Sequence, residues 1–323
     1  MSIASISIVT VSMNRTEHLV RCVKAVSSLP YHAEHIIIDY DSLCPVVDSQ
    51  LPSDQRIKLF RVNGSDEKWW LTHSFNLAFS IASGHFILKL DADVILSSSF
   101  FDHLLDSQAK SRASFMCNRL TLQDWGLPEQ MFTTNGLFFC ERSALASVNG
   151  FNPYIKGWGW DEIDLYSRLF LSGHTVARLP QVGVAPIGHD DALRVSMRPV
   201  RGEDPATLCE ATVRASKLMH AQNEKNRRVA IASHLKKVKW PTFTEYQNFY
   251  YSTSCLPGLA PAHLFSRDEF AFLVLWMVRT ILCPTRLQHW CWSVKRLSGR
   301  GVYTLKGASL FLESVGVDLS LFC

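Results

Sequence analysis

Across the first ninety residues, short apolar strands alternate with amphipathic helical segments, and no other feature limits the possible folds as sharply. Ser5–Val11 reads as a strand, and Glu17–Ser28 carries Leu19, Val20, Val23 and Val26 at helical spacing. His35–Asp39 and Ile57–Val62 read as strands. Leu71–Ala82 sets Phe75, Ala78, Phe79 and Ala82 on one helical face before Gly84 stops it, and Phe86–Leu90 runs straight into Asp91-Ala92-Asp93. This alternation predicts an α/β fold: a mostly parallel sheet with helices on both faces. Ligands of such sheets bind beyond the carboxyl ends of the strands, and Asp39, Asp91 and Asp93 all fall there.

Further along, residues 114–190 read as strands with two helices, one beginning near Cys140–Arg142 and one over Asp161–Ser172, closed by Gly173. From Pro205 the pattern changes. Residues 205–237 look helical and end on Lys236 and Lys237, 240–265 are aromatic and broken by Pro241, Pro257 and Pro261, and 267–297 look helical and rich in Trp and Phe. The expected division is a first α/β unit over 1–204 and a mainly helical extension over 205–323. Hydrophobic residues at 47% against 19% charged exclude a disordered chain. A net charge of +4 is far from that of a dedicated nucleic-acid binder. Nine cysteines, an odd number with no C-x-x-C pair, point to a reducing compartment and away from a disulfide framework. The start Met1–Ser5 has no basic leader segment, so a cytoplasmic location is expected. Phe270–Val278, interrupted by Arg279, is too short to span a bilayer. Trp276, Trp290 and Trp292 with Arg279, Arg286, Lys295, Arg296 and Arg300 fit two readings. One is an interfacial face for peripheral contact at the inner side of a membrane; the other is a helical subdomain packed on the first unit.

Four groups of residues could carry chemistry. Asp91-Ala92-Asp93 offers hard oxygen ligands suited to Mg²⁺ or Mn²⁺ against a phosphate, or a solvated strand-end turn. Asp39 could accept the N3–H of a uracil ring or form an Asx turn. Trp158 and Trp160 offer flat apolar faces to a sugar ring and lead into Asp161, Glu162 and Asp164. Acids in a first helical turn also simply favour the helix. Asp161 and Asp164 share a side, with Glu162 rotated by about 100°. His189, after a Gly-containing turn, is a metal ligand or a surface residue. No nucleophile elbow, P-loop, H-E-x-x-H or G-x-G-x-x-G occurs.

The order of these segments resembles glycosyltransferase family 2. The resemblance rests on Thr10-Val11-Ser12-Met13-Asn14-Arg15, Ile37-Ile38-Asp39-Tyr40-Asp41-Ser42, Asn76 and Leu90-Asp91-Ala92-Asp93. Asn135-Gly136, Asn149-Gly150-Phe151 and Gly157-Trp158-Gly159-Trp160-Asp161-Glu162-Ile163-Asp164-Leu165 resemble the acceptor segment of galactosyltransferase-like and chondroitin-polymerase-like enzymes. The resemblance covers about residues 5–195. It implies a GT-A fold and inverting, metal-dependent transfer from a UDP-sugar to a saccharide hydroxyl by a hexosyltransferase of polysaccharide biosynthesis. It implies that Thr10, Asn14, Arg15 and Asp39 line the nucleoside pocket, with Asn76 on the same side. Asp91 would face the ribose or a metal-bound water, Asp93 would hold Mn²⁺ or Mg²⁺, and His189 would be a late metal ligand. Trp158, Trp160 and Asp161 would bind the acceptor, with Glu162 as general base. The acidic pair stands as Asp then Glu, where the family has Glu then Asp, and Tyr40-Asp41 replaces the commoner Asp-Gly or Asn-Gly. Two other readings stay open: a non-catalytic sugar-binding module on the same fold, and a nucleotidyltransferase, although Ser12–Glu17 lacks the Gly-rich basic loop that a triphosphate needs.

Overall fold

The computed structural model describes residues 5–63, 69–118, 136–157, 159–188, 222, 225–230, 233 and 238–253. Four strands of its main sheet were legible as apolar or β-branched runs: β1 (Ile6–Ser12), β2 (Glu34–Tyr40), β3 (Ile57–Val62) and β4 (Phe86–Lys89). β6 (Phe115–Cys117), β7 (Phe138–Glu141) and β8 (Val176–Arg178) complete it in the order β3-β2-β1-β4-β7-β6-β8. β1 pairs parallel with β2 and β4, β2 with β3, and β6 with β8; β7 runs against both of its neighbours. A second sheet pairs β5 (Val94–Leu96) antiparallel with β9 (Val184–Pro186).

Strand periodicity assigns the two faces. Ile6 and Ile8 pack with Cys22 and Val26 of α1 (Thr16–Ser27) and with Phe100, Phe101 and Leu104 of α3 (Ser98–Ser111). Val9 and Val11 point the other way, onto Phe75 and Phe79 of α2 (Leu71–Ile81) and Leu165 and Leu169 of α5 (Asp161–Leu171). Every residue of β1 and β2 is buried, because both faces of the sheet are covered. The α/β architecture expected from the sequence is therefore present.

Three details differ from expectation. α3 lies in a stretch with no assigned element, its apolar side reduced to Phe100, Phe101 and Leu104 among polar residues. The helix expected near Cys140 starts at Arg142, as α4 (Arg142–Ser147), because Cys140 and Glu141 finish β7. The aromatic stretch after Trp240 contains α6 (Phe243–Thr253), with Phe243 and Tyr246 buried in the same core as α2. Val229 and Ala230 pack on Ile155, so contacts run from the expected extension into the expected first unit. The aromatic and basic residues at 276–300 lie outside the described residues. No described helix is long and apolar enough to cross a membrane. Cys22, Cys44, Cys117 and Cys140 are free thiols.

Candidate active site

At the carboxyl ends of β1 and β2 two turns interlock. Asn14 and Asp41 adopt left-handed backbone angles (φ 56° and 49°), which Asn and Asp tolerate better than other side chains. The Asn14 amide donates to Ser42 Oγ at 2.8 Å, and Asn14 Oδ1 accepts from the Leu43 amide at 2.8 Å. Asp39, 1% exposed, accepts from the Val46 amide at 3.0 Å through Oδ2, which lies 3.9 Å from the Arg61 guanidinium. Its other oxygen, Oδ1, and the Asn14 Nδ2 are both buried and unpaired among the described residues. Buried polar atoms are rarely left without partners, so an open acceptor and an open donor at these strand ends are the mark of a ligand site.

The next strand end carries the two metal candidates. Asp93 is partly exposed and accepts from Arg15 at 3.1 Å, so a cation already stands at its carboxylate. The Asp93 carbonyl accepts from the Ile187 amide at 2.6 Å, which brings the end of β9 to this turn. His189 follows Ile187 by two residues and lies outside the described residues, as does Trp158. Among the described residues no cluster of three or more His, Cys, Asp or Glu side chains suits a metal ion. Asp91 and Asp93 offer hard carboxylate oxygens of the kind that Mg²⁺ and Mn²⁺ take, and here these oxygens face Lys89 and Arg15.

The third part joins the strand ends to α5. Lys89, wholly buried in β4, donates to Asp91 Oδ1 at 2.8 Å, to the Gly136 carbonyl at 2.8 Å and to Glu162 Oε1 at 3.3 Å. Burial alone would lower the pKa of its ammonium, but the carboxylates of Asp91, Glu162 and Asp161 outweigh that and raise it above the ordinary lysine value. Asp161 is 3% exposed. Burial first, then the charge of Glu162 and a hydrogen bond with its side chain, push the Asp161 carboxyl well above the usual carboxylate range. Asp164 does separate work: it is buried and pairs with Arg168 at 2.8 Å.

The loop before α5 is strapped down by α2. Asn76 holds Phe151 by both its carbonyl and its amide, at 2.8 and 2.7 Å. Trp70 donates to the Pro153 carbonyl, and Thr72 to the Ile155 carbonyl, both at 2.7 Å. Gly150 has φ +64°, and a Cβ there would collide with the Asn76 carboxamide. That explains the Asn149-Gly150-Phe151 sequence.

With this geometry in place, the likeness to known proteins is specific. Residues 7–146 match the model of glycosyl transferase family 2, and residues 118–190 match that of the N-terminal domain of galactosyltransferase. The two matches together run over residues 7–190. Chondroitin sulfate synthase 3 of Mus musculus is 27% identical over 113 residues, which is 34% of this chain and 13% of that protein. Chondroitin sulfate synthase 3 of Homo sapiens is 39% identical over 54 residues, 17% of this chain and 6% of that protein. The matches thus span a small part of those relatives. The mannosyltransferase PcManGT from Pyrobaculum calidifontis, solved with GDP-Man and Mn²⁺, is 15% identical with a TM-score of 0.45, over 98% of this chain and 81% of that one.

Within this glycosyltransferase domain the expected site residues divide. Arg15 meets Asp93, and Lys89 brings Asp91 to Glu162. Asn14 and Asp39 each keep one open buried atom. Thr10 and Asn76, expected on the nucleoside, are interior instead. Thr10 Oγ1 lies 2.9 Å from His35 Nε2 inside the sheet layer, and Asn76 holds the loop before α5. Trp160 and Asp161, expected on the acceptor, are buried; Trp160 has φ 68° and turns into the core at the helix start. Lys89 is the residue that sequence reasoning missed. Its one signal was a lysine inside an otherwise apolar strand, two residues before Asp91.

Proposed function

We propose that this chain is an inverting, metal-dependent hexosyltransferase that moves a sugar from a UDP-sugar to a hydroxyl of a saccharide acceptor. The observation that carries the reading is the junction at Lys89, which sets the strand-end acid Asp91 beside the helix acid Glu162. The likeness to chondroitin sulfate synthases supports a saccharide acceptor.

The open Oδ1 of Asp39 accepts the N3–H of uracil, and the open Nδ2 of Asn14 donates to a base or ribose oxygen. Asp93, with His189, holds the divalent ion, and Asp91 faces the ribose side. A divalent cation at this position supplies charge neutralisation for the departing diphosphate. Arg15, now paired with Asp93, is within reach of the same phosphates.

Glu162 is the more accessible of the acidic pair, with 23% of its side chain exposed, and takes the proton from the acceptor hydroxyl as that oxygen attacks the anomeric carbon. Attack from the face opposite the diphosphate inverts the anomeric centre. Asp161, hydrogen-bonded to Glu162, orients the base. A positioned general base contributes about 10²- to 10⁴-fold.

The proposal includes a cytoplasmic setting, with peripheral membrane contact through residues 276–300. Co-sedimentation with anionic liposomes at low salt tests the membrane contact, and a protein that stays in the supernatant removes it. The test of function is release of UDP from a panel of UDP-sugars with saccharide acceptors, with Mn²⁺ and with EDTA. Glu162→Gln is expected to lower kcat at least about 100-fold while UDP binding persists. Absence of turnover with every nucleotide sugar would leave a sugar-binding module as the function.

A further inference from the structure

A wholly buried ammonium is costly to keep unless it is paired, and the partners of Lys89 come from three separate segments. Asp91 belongs to the turn after β4, Gly136 precedes β7, and Glu162 lies in the first turn of α5. The ammonium has three protons, and each of the three oxygens lies within 3.3 Å of it. Phe75 closes the remaining side, its ring centre 4.7 Å away. The space is tight: a Cβ on residue 136 would collide with the Asp91 carboxylate and stand 2.8 Å from the lysine nitrogen. Two of the three acceptors are carboxylates that the proposed reaction assigns to opposite substrates, Asp91 to the donor and Glu162 to the acceptor.

We propose that Lys89 is a positioning residue that ties Asp91 and Glu162 to one buried cation, fixing the aim of the Glu162 carboxylate at the acceptor. This rests on the reading of Glu162 as the general base. The titratable and charged groups around Glu162 are Lys89 from β4, Asp91 beyond it, Asp161 and Tyr166 from α5, and Cys117 from β6 beside Tyr166. Lys89 is the cation of that group; the others are acids or neutral weak acids. Without it, Glu162 loses the donor that ties it to Asp91 and faces the remaining acids.

The test compares Lys89→Met and Lys89→Gln, which remove the charge, with Lys89→Arg, which keeps it, and with Glu162→Gln. For each, folding is checked by circular dichroism, UDP binding by calorimetry, and kcat and KM for the acceptor are measured. The uncharged variants are expected to lower kcat about 10- to 100-fold while UDP binding stays near normal, because the base loses its aim and the donor site does not. Lys89→Arg is expected to recover most of kcat. Loss of UDP binding together with kcat in the folded uncharged variants is the signature of a merely structural lysine and overturns the proposal, as does a near-normal kcat in them. Using two uncharged variants keeps the test open if one does not fold. Glu162→Gln separates the layers. If it transfers sugar at a near-normal rate, the base assignment itself fails; if it is inactive while Lys89→Met keeps a near-normal kcat, only the role of Lys89 fails.

Discussion

Acid should loosen this fold through a buried histidine remote from the reaction. His35 is 0% exposed in β2, with Nε2 against Thr10 Oγ1 and Nδ1 unpaired. Burial, and after it the neighbouring His32 and Arg56, depress its pKa from the usual 6.5 to about 3. Since the folded pKa lies below the unfolded value, the unfolded chain takes up the proton first. Stability is therefore complete above about pH 6.5 and falls as pH drops toward 3. At pH 5 the loss is set by the 1.5 units below the unfolded pKa, so long as the folded pKa stays well under 5. At 1.36 kcal/mol per unit that is about 2 kcal/mol from His35 alone. His32, depressed to about 4 mainly by burial, adds a similar slope. Glu34 barely enters this window. Burial raises the pKa of Glu34, but hydrogen bonds from Lys58, Ser7 and Ser83 outweigh it and bring the group to about 2. The assay is urea unfolding followed by circular dichroism at pH 8 and pH 5, for the unmodified protein and His35→Leu. The variant is expected to lose about 2 kcal/mol less between the two pH values, whatever the substitution does to stability at pH 8. An equal pH dependence in both proteins would refute the account of His35 as a buried neutral imidazole.

Asp39→Ala should raise the UDP dissociation constant about 10- to 150-fold, the effect of losing a charge-assisted hydrogen bond of about 1.5–3 kcal/mol. Calorimetry with UDP and CDP checks it, and equal binding of the two by the unmodified protein contradicts the assignment to N3–H. Gly136→Ala should cut transfer activity while leaving the helical content near normal, because its Cβ meets the Asp91 carboxylate and crowds Lys89; unchanged kinetics would show that this clearance is not used. Asn76→Ala should destabilise the protein by about 2–5 kcal/mol, since it leaves both the amide and the carbonyl of Phe151 without their side-chain partner. Thermal unfolding with a Tm near that of the unmodified protein would show that the loop before α5 is held by other contacts.

The central strands and the first two helices were legible because their signals are local. A run such as Ile36-Ile37-Ile38 can only be a strand buried on both faces, and Leu19, Val23 and Val26 fall on one side of a helix whatever lies opposite. The strand-end acids were legible for the same reason: Asp39 and Asp91 are where apolar runs stop. Partner choice was not legible. Lys89 meets Glu162 across 73 residues, Asn76 reaches Tyr246 across 170, and Thr10 takes His35 across 25. Each pairing exists only because the sheet order sets β4 beside β1 and β7, and brings α5 and α6 onto the face where α2 lies. The reversal of β7 belongs here too, since a short apolar run such as Phe138-Phe139-Cys140 reads the same in either direction. Charge state follows burial in the same way. Asp161 and Glu162 are adjacent acids in sequence, yet one is buried with its pKa raised and the other keeps 23% of its side chain exposed. That difference comes from the low-dielectric surroundings that distant segments build around the first, and no local pattern encodes it.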